Sequence, residues 1–252
     1  MKIMLTNDDG INAPGIKTLK KVLEKAGHEI IVIAPTSQQS ASSHSITLHK
    51  PLRIIKKSAN EYAVSGSPAD CVILASKVIL KEVPDLVISG INGGQNMAED
   101  ILYSGTVAAA LEAMFMGYRA IAVSISSYSN QKFITAAEFM REFISGGLQE
   151  LIGKNEVFNI NVPNLSRDKI KGVKITRVGN RHYKDFVRED TDQHGGKIFW
   201  IGGAKPLWQD VEGSDFKALY EDYISITPIS PNFTVEASLQ KINEWIEREN
   251  FK

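Results

Sequence analysis

The sequence has one cysteine, no excess of either charge and no apolar run near the roughly 20 residues that cross a bilayer. Each shortage removes a class of protein. A single cysteine in 252 residues cannot close an intrachain disulfide, which points to a reducing compartment. Lys and Arg number 29, as do Asp and Glu. A chain with no net positive field has little to hold a nucleic-acid backbone or an anionic membrane, so neither is an expected partner. The N-terminus offers one lysine, a short apolar strand and then two acids, without a signal peptide's apolar core; the expected location is the cytoplasm. Several motifs are missing too. There is no H-E-x-x-H, no Cys/His ligand cluster, no G-x-S-x-G elbow, no Walker lysine loop and no G-x-G-x-x-G after the first strand. Zinc hydrolysis, serine acyl transfer and NAD binding lose their usual carriers.

What remains is ordinary globular material, 43% hydrophobic and 23% charged, enough for one substantial core. Lys2-Ile3-Met4-Leu5-Thr6 is an apolar strand running into Asn7-Asp8-Asp9-Gly10. Ile16, Leu19, Leu23 and Ala26 then recur at helical spacing between Pro14 and Gly27, residues suited to a helix start and stop. Glu29–Pro35 is a β-branched strand, so the chain opens as a β-α-β unit. Thr36–Ser45 is a polar loop rich in Ser and Gln. Ile46–Leu52, Arg53–Ile55 and Glu61–Val64 read as extended, and a helix runs from Pro68 towards Leu80 with Cys71 as a small buried hydrophobe. Pro84–Gly90, Ala120–Ile125 and Val157–Pro163 are further strands, and helices run to Met116 and around Phe133–Phe143. This alternation predicts a Rossmann-like, doubly wound, mostly parallel α/β sheet.

After residue 165 the pattern changes. Val173–Val178 and Lys197–Ile201 bracket a polar stretch with a Gln193-His194-Gly195-Gly196 turn, which reads as a long β-hairpin arm. Leu239, Ile242, Trp245 and Ile246 space a terminal amphipathic helix. The expected organisation is a single domain over 1–252, with an α/β core at 1–165 and the arm and oligomerisation segment at 170–252. An arm with little core of its own predicts a homodimer or homotetramer.

The chemistry gathers at strand ends. Asp8 and Asp9 follow the first strand, the Ser-rich loop the second, and Asn92 the Pro84–Gly90 strand, so all can meet at one carboxyl-edge crevice. Asp-Gly is also turn chemistry, and on those residues alone the two readings stand level. Adjacent carboxylates repel unless a cation or proton relieves them. Oxygen donors suit a hard divalent cation, Mg²⁺ or Mn²⁺. Ser104, Gly105 and Thr106 open the alanine-rich helix, where unpaired N–H groups and the helix dipole favour an anion; an ordinary Ser or Thr cap is the plainer alternative. Cation plus anion cradle means phosphoryl chemistry.

With those residues assembled, the chain resembles the SurE (survival protein E) family of metal-dependent nucleotidases. The likeness rests on Thr6-Asn7-Asp8-Asp9-Gly10, Gly66-Ser67-Pro68-Ala69-Asp70-Cys71-Val72, Ser89-Gly90-Ile91-Asn92, Tyr103-Ser104-Gly105-Thr106-Val107, Asn159-Ile160-Asn161-Val162-Pro163 and Phe199-Trp200-Ile201-Gly202. The resemblance implies a phosphatase of nucleoside 5′- and 3′-monophosphates, in some members also of short polyphosphate. It implies one divalent cation on Asp8, Asp9, Ser40 and Asn92, with Asp8 and Asp9 catalytic. Asn96, Ser104, Gly105 and Thr106 are then the phosphate contacts, and the arm is exchanged between subunits. Gln39 stands where the family usually has arginine. That departure leaves a non-catalytic nucleotide-binding sensor as the alternative.

Overall fold

Alternation along the first strand sets up a two-sided core. In β1 (Lys2–Thr6) Ile3 and Leu5 face one side of the sheet and Met4 the other, and all three are fully buried. The structure, a computed structural model, describes residues 1–182, 187–201, 207–208 and 211–249. After β1 come α1 (Pro14–Lys25), β2 (Glu29–Pro35), β3 (Ile54–Ser58), β4 (Glu61–Val64), α2 (Pro68–Leu74), β5 (Leu86–Gly93), α3 (Gly105–Phe115) and β6 (Ala120–Ile125). The chain continues through α4 (Phe133–Ser145), β7 (Val157–Val162), β8 (Gly172–Ile175), β9 (Arg181–His182), β10 (Val187–Thr191) and β11 (Lys197–Ile201). It ends with β12 (Leu207–Trp208), α5 (Asp215–Tyr220), β13 (Tyr223–Ile229) and α6 (Glu236–Arg248).

One nine-stranded sheet has the order β3-β4-β2-β1-β5-β6-β7-β13-β8. Neighbours from β4 to β7 are parallel, while β3 and β13 run antiparallel to their inner neighbours. The predicted α/β fold is therefore present. Ile16, Leu19 and Leu23 of α1 and Phe139, Met140 and Phe143 of α4 cover the Ile3/Leu5 face. Cys71 and Val72 of α2 and Val107, Ala110 and Ala113 of α3 cover the Met4 face. Each fully buried Leu or Ile contributes about 1.5–3 kcal/mol. Successive strands step outward from β1 to β2 and β4 on one side, and from β5 to β6 and β7 on the other. Strand order reverses between β1 and β5, so a crevice opens beyond their carboxyl ends.

Four expectations change in detail. β5 runs on to Gly93 past the expected end at Gly90, with a register shift against β6 between Ser89 and Asn92. A Cβ on Gly15 would collide with the Ile91 carbonyl, so the bare glycine lets α1 begin against β5. The helix from Pro68 ends as α-helix at Leu74 and continues over Ala75–Ile79 as a wider π turn. Ile46–Leu52 forms no strand; its Thr47 is held by Asp70, through the amide at 2.9 Å and the hydroxyl at 2.7 Å. Finally, Val173–Val178 does not belong to the arm hairpin. β8 pairs in parallel with β13 at the sheet edge, because β13's free edge carries backbone groups that need partners. The hairpin is β10 with β11, its turn closed on Asp192 Oδ1 by the amides of His194 and Gly196, both at 2.8 Å. Thus two strands of the stretch expected as arm, β8 and β13, extend the central sheet. Gly202 lies outside the described residues.

Candidate functional site

The turn after β1 presents the carboxylates. The Asn7 side chain closes it on both sides, donating to the Gly10 carbonyl at 2.9 Å and accepting from the Gly10 amide at 3.2 Å. Gly10 takes φ +94°, which glycine adopts without the strain a side chain would bring. Asp8 and Asp9 therefore occupy the middle of a clamped turn. The Ser-rich loop is tethered above it, Gln39 donating its amide to the Asp8 carbonyl at 2.7 Å and Ser43 its amide to the Tyr103 carbonyl at 3.1 Å.

A cleft of about 810 Å³ opens at this edge of the sheet. Six of the eight residues expected in the site line it, namely Asp8, Asp9, Ser40, Asn92, Asn96 and Ser104. Gly105 and Thr106 are buried behind Asp8. Thr106 donates its hydroxyl to Asp8 Oδ1 at 2.5 Å, so its side chain holds a carboxylate of the protein itself. The space a Cβ on Gly105 would need is taken by Ser42 Oγ, Asp8 Cβ and Pro68 Cγ, at 2.7, 2.9 and 3.1 Å. That glycine brings α3 close to β1 and α2 rather than opening a path for a ligand. Ser104 is the N-cap of α3, accepting from the Val107 amide at 3.1 Å, and its own hydroxyl hydrogen remains available to the cleft.

Asp8 is 6% exposed. Burial pushes its carboxyl up from 3.8 to about 6; the Thr106 hydroxyl opposes the rise, and the charge of Asp9 adds to it. Burial also raises Asp9, against the pull of the Gly93 amide, which donates to Asp9 Oδ2 at 3.3 Å. These carboxylates are paired in sequence and strained in charge. Asn92 commits its Nδ2 to the Gly94 carbonyl at 2.7 Å, leaving Oδ1 as its second polar atom. Ser40 Oγ accepts from Gln38 Nε2 at 2.9 Å. The donor set is all oxygen, two anionic and two neutral, and it fits a hard divalent cation. No cluster of three or more His, Cys, Asp or Glu able to hold a metal occurs among the described residues.

Asn96 is bound into a buried amide network. Its amide donates to Asn161 Oδ1 at 2.9 Å, its Nδ2 to Ser124 Oγ at 2.9 Å, and its carbonyl accepts from Asn159 and Asn161 at 2.8 and 2.9 Å. The ends of β6 and β7 thereby fix the loop after β5.

Sequence reasoning did not single out Gln38, Asp100, Tyr128 or Arg181, which also line the cleft. Arg181 pairs with Asp100 through Nη1, and its amide donates to Glu99 Oε2 at 2.7 Å. Asp215 steadies that region, accepting from the amides of Ala98, Gly179 and Phe216 at 3.1, 3.0 and 2.8 Å. Nothing in local spacing announces these partners, which lie on loops far apart in the chain. His44 is accounted for structurally: it bonds Glu112 at 2.8 Å and stacks on Phe115.

Comparison with known proteins gives a consistent result. The family described as Survival protein SurE matches residues 3–185. A relative from Pseudoalteromonas atlantica called 5′-nucleotidase SurE is 41% identical over 248 residues, covering 98% of this chain and 100% of the relative. One of the same name from Idiomarina loihiensis is 41% identical over 249 residues, covering 99% of each. The crystal structure of SurE protein from Aquifex aeolicus superposes with a TM-score of 0.87 at 38% identity, covering 98% of this chain and 100% of that one.

Proposed function

The chain belongs to the SurE family, and from that premise we propose that it is a 5′-nucleotidase. It releases phosphate from nucleoside 5′-monophosphates, and also from 3′-monophosphates and short polyphosphate. The observation that carries the reading is the pair of carboxylates, buried Asp8 and half-buried Asp9, at the carboxyl end of β1 in a cleft shared with Ser40, Asn92, Asn96 and Ser104. Asp8, Asp9, Ser40 and Asn92 are the residues that would hold one Mg²⁺ or Mn²⁺. When bound, the cation supplies charge stabilisation at the phosphoryl group and a more acidic water.

The protein's own residues do the rest. Thr106 pins Asp8 through Oδ1, so the carboxylate keeps a single orientation. Without the cation, burial disfavours the ionised Asp8 carboxyl, so the site favours a positive charge beside it. Ser104, freed from any other duty than its cap, offers a hydroxyl to phosphate. The start of α3 adds the positive end of a helix dipole, and the Arg181–Asp100 ion pair lies on the cleft wall. Gln39, in the usual arginine's place, contributes its backbone amide to Asp8.

The exposed hairpin and α6, which buries none of its residues, support assembly into dimers or tetramers. No helix among the described residues is long and apolar enough to cross a membrane. The test is a phosphate-release panel over nucleoside monophosphates with Mg²⁺, Mn²⁺ or chelator. Metal-dependent release is expected. Tight nucleotide binding without release would favour the sensor, and release unaffected by chelator would overturn the metal assignment.

A further inference from the structure

We propose that Tyr128 is the platform on which the substrate's base stacks, an inference that rests on the nucleotidase reading above. Tyr128 lies in the loop between β6 and α4 and lines the same cleft as Asp8, Asp9 and Asn92. One edge of its ring is seated on bare backbone: a Cβ built on Gly94 would fall 2.4 Å from Cε1, 3.0 Å from Cδ1 and 3.1 Å from Cζ. Any side chain at 94 would evict the ring, and Gly94 also holds φ +123°. The ring is nevertheless 75% exposed. A large aromatic seated on the protein along one edge and open elsewhere, inside the cleft that holds Asp8 and Asp9, has the form of a stacking surface. Every nucleobase has a π-face to offer it, so the contact favours a base without selecting which one.

The seat also lies close along the chain to a candidate cation ligand. The Gly94 carbonyl that receives Asn92 Nδ2 at 2.7 Å belongs to the residue beneath Tyr128, and the Gly94 amide is anchored on the Ile125 carbonyl at 3.0 Å. Gly94 stands two positions after Asn92, with only Gly93 between, a reach of at most about 7 Å. That is the scale of the ribose between a nucleotide's phosphate and its base.

The test compares phosphate release from AMP with release from ribose 5-phosphate, which keeps the phosphate and sugar and lacks the base. In Tyr128→Ala the ratio of kcat/KM for AMP over ribose 5-phosphate falls on the order of tenfold, chiefly through KM for AMP, while Tyr128→Phe keeps the ratio. An unchanged ratio overturns the proposal, and an equal loss on both substrates shows a structural role instead. Calorimetry with adenosine separates this from failure of the nucleotidase reading. If the wild type releases phosphate from neither ester, that reading falls. Weaker adenosine binding by Tyr128→Ala, again on the order of tenfold, then supports the platform, and equal binding by the two proteins overturns it.

Discussion

Asp8→Asn should make the metal-free protein more stable while destroying its activity. Folding carries the Asp8 carboxyl from 3.8 to about 6, a shift on the order of 3 kcal/mol against the ionised form. The folded-state pKa lies above the unfolded one. The contribution to stability is therefore fully present below about pH 3.8 and is lost as pH rises through about 6. At pH 8 the wild type bears the whole penalty. Asparagine removes the charge, keeps an acceptor for the Thr106 hydroxyl and turns its new amide hydrogens to the cleft. Allowing about 1 kcal/mol for an imperfectly partnered amide, the variant gains roughly 2 kcal/mol. For a chain of this size that raises Tm by about 4–8 °C. The assay is thermal denaturation followed by circular dichroism in chelator at pH 8 and pH 4.5, with phosphate release measured alongside. The advantage should shrink at pH 4.5, where the wild-type carboxyl is protonated. Added Mn²⁺ should reverse the order, because only the wild type gains by mass action from an ion bound to its folded state. Activity falls on the order of a hundredfold or more. A variant no more stable than wild type at pH 8 in chelator, or an advantage as large at pH 4.5 as at pH 8, would refute the reasoning.

Gly105→Ala forces a Cβ within 2.9 Å of Asp8 Cβ; overpacking of this kind costs about 1–3 kcal/mol, so Tm and phosphate release should fall together, whereas loss of activity alone would return the glycine to ligand contact. Asp70→Ala strips acceptors from the Ser67 amide and from the amide and hydroxyl of Thr47. Urea denaturation should show a loss of about 2–3 kcal/mol, with faster proteolysis near residue 47. Ile242→Glu places a charge on the exposed apolar face of α6; sedimentation should show the wild type as a dimer or tetramer and the variant as smaller species, and a monomeric wild type would contradict the assembly.

Much of this architecture is legible because it follows local rules. The period of Ile16, Leu19 and Leu23, the β-branched run after Glu29 and the alternation of strand with helix all report burial on short stretches of chain. Partner choice does not. Val173 to Ile175 reads as a strand whichever neighbour it has, and only the open edge of β13 decides where it lies. The Asn96 network is illegible for the same reason: Asn159 and Asn161 are plain to see, but their bonds to a loop more than sixty residues away depend on β7 having come to rest beside β6. Arg181 with Asp100 is likewise a meeting of distant loops that neither segment announces.

Thr106 shows how a local reading can acquire a different object. The start of α3 favours an anion for the reasons its sequence suggests, unpaired amides and a dipole. The anion that Thr106 holds directly is Asp8, at 2.5 Å. Gly105 follows from this, since only a residue without a side chain lets α3 come close enough to β1 for that bond to form. The helix therefore acts on the reaction at one remove. It offsets part of the penalty of a buried carboxylate that burial would otherwise push higher still, and so keeps Asp8 largely ionised near neutral pH. On the proposed reading, substrate phosphate meets a rim made of Ser104 and the candidate cation ligands, beside the Arg181–Asp100 pair. On this view Thr106→Val should raise the Asp8 pKa by about one to two units, since a hydrogen bond to a charged group contributes about 1.5–3 kcal/mol. The acid limb of the pH–rate profile should move up by the same amount. A limb that stays in place while KM alone rises would put Thr106 on the phosphate after all.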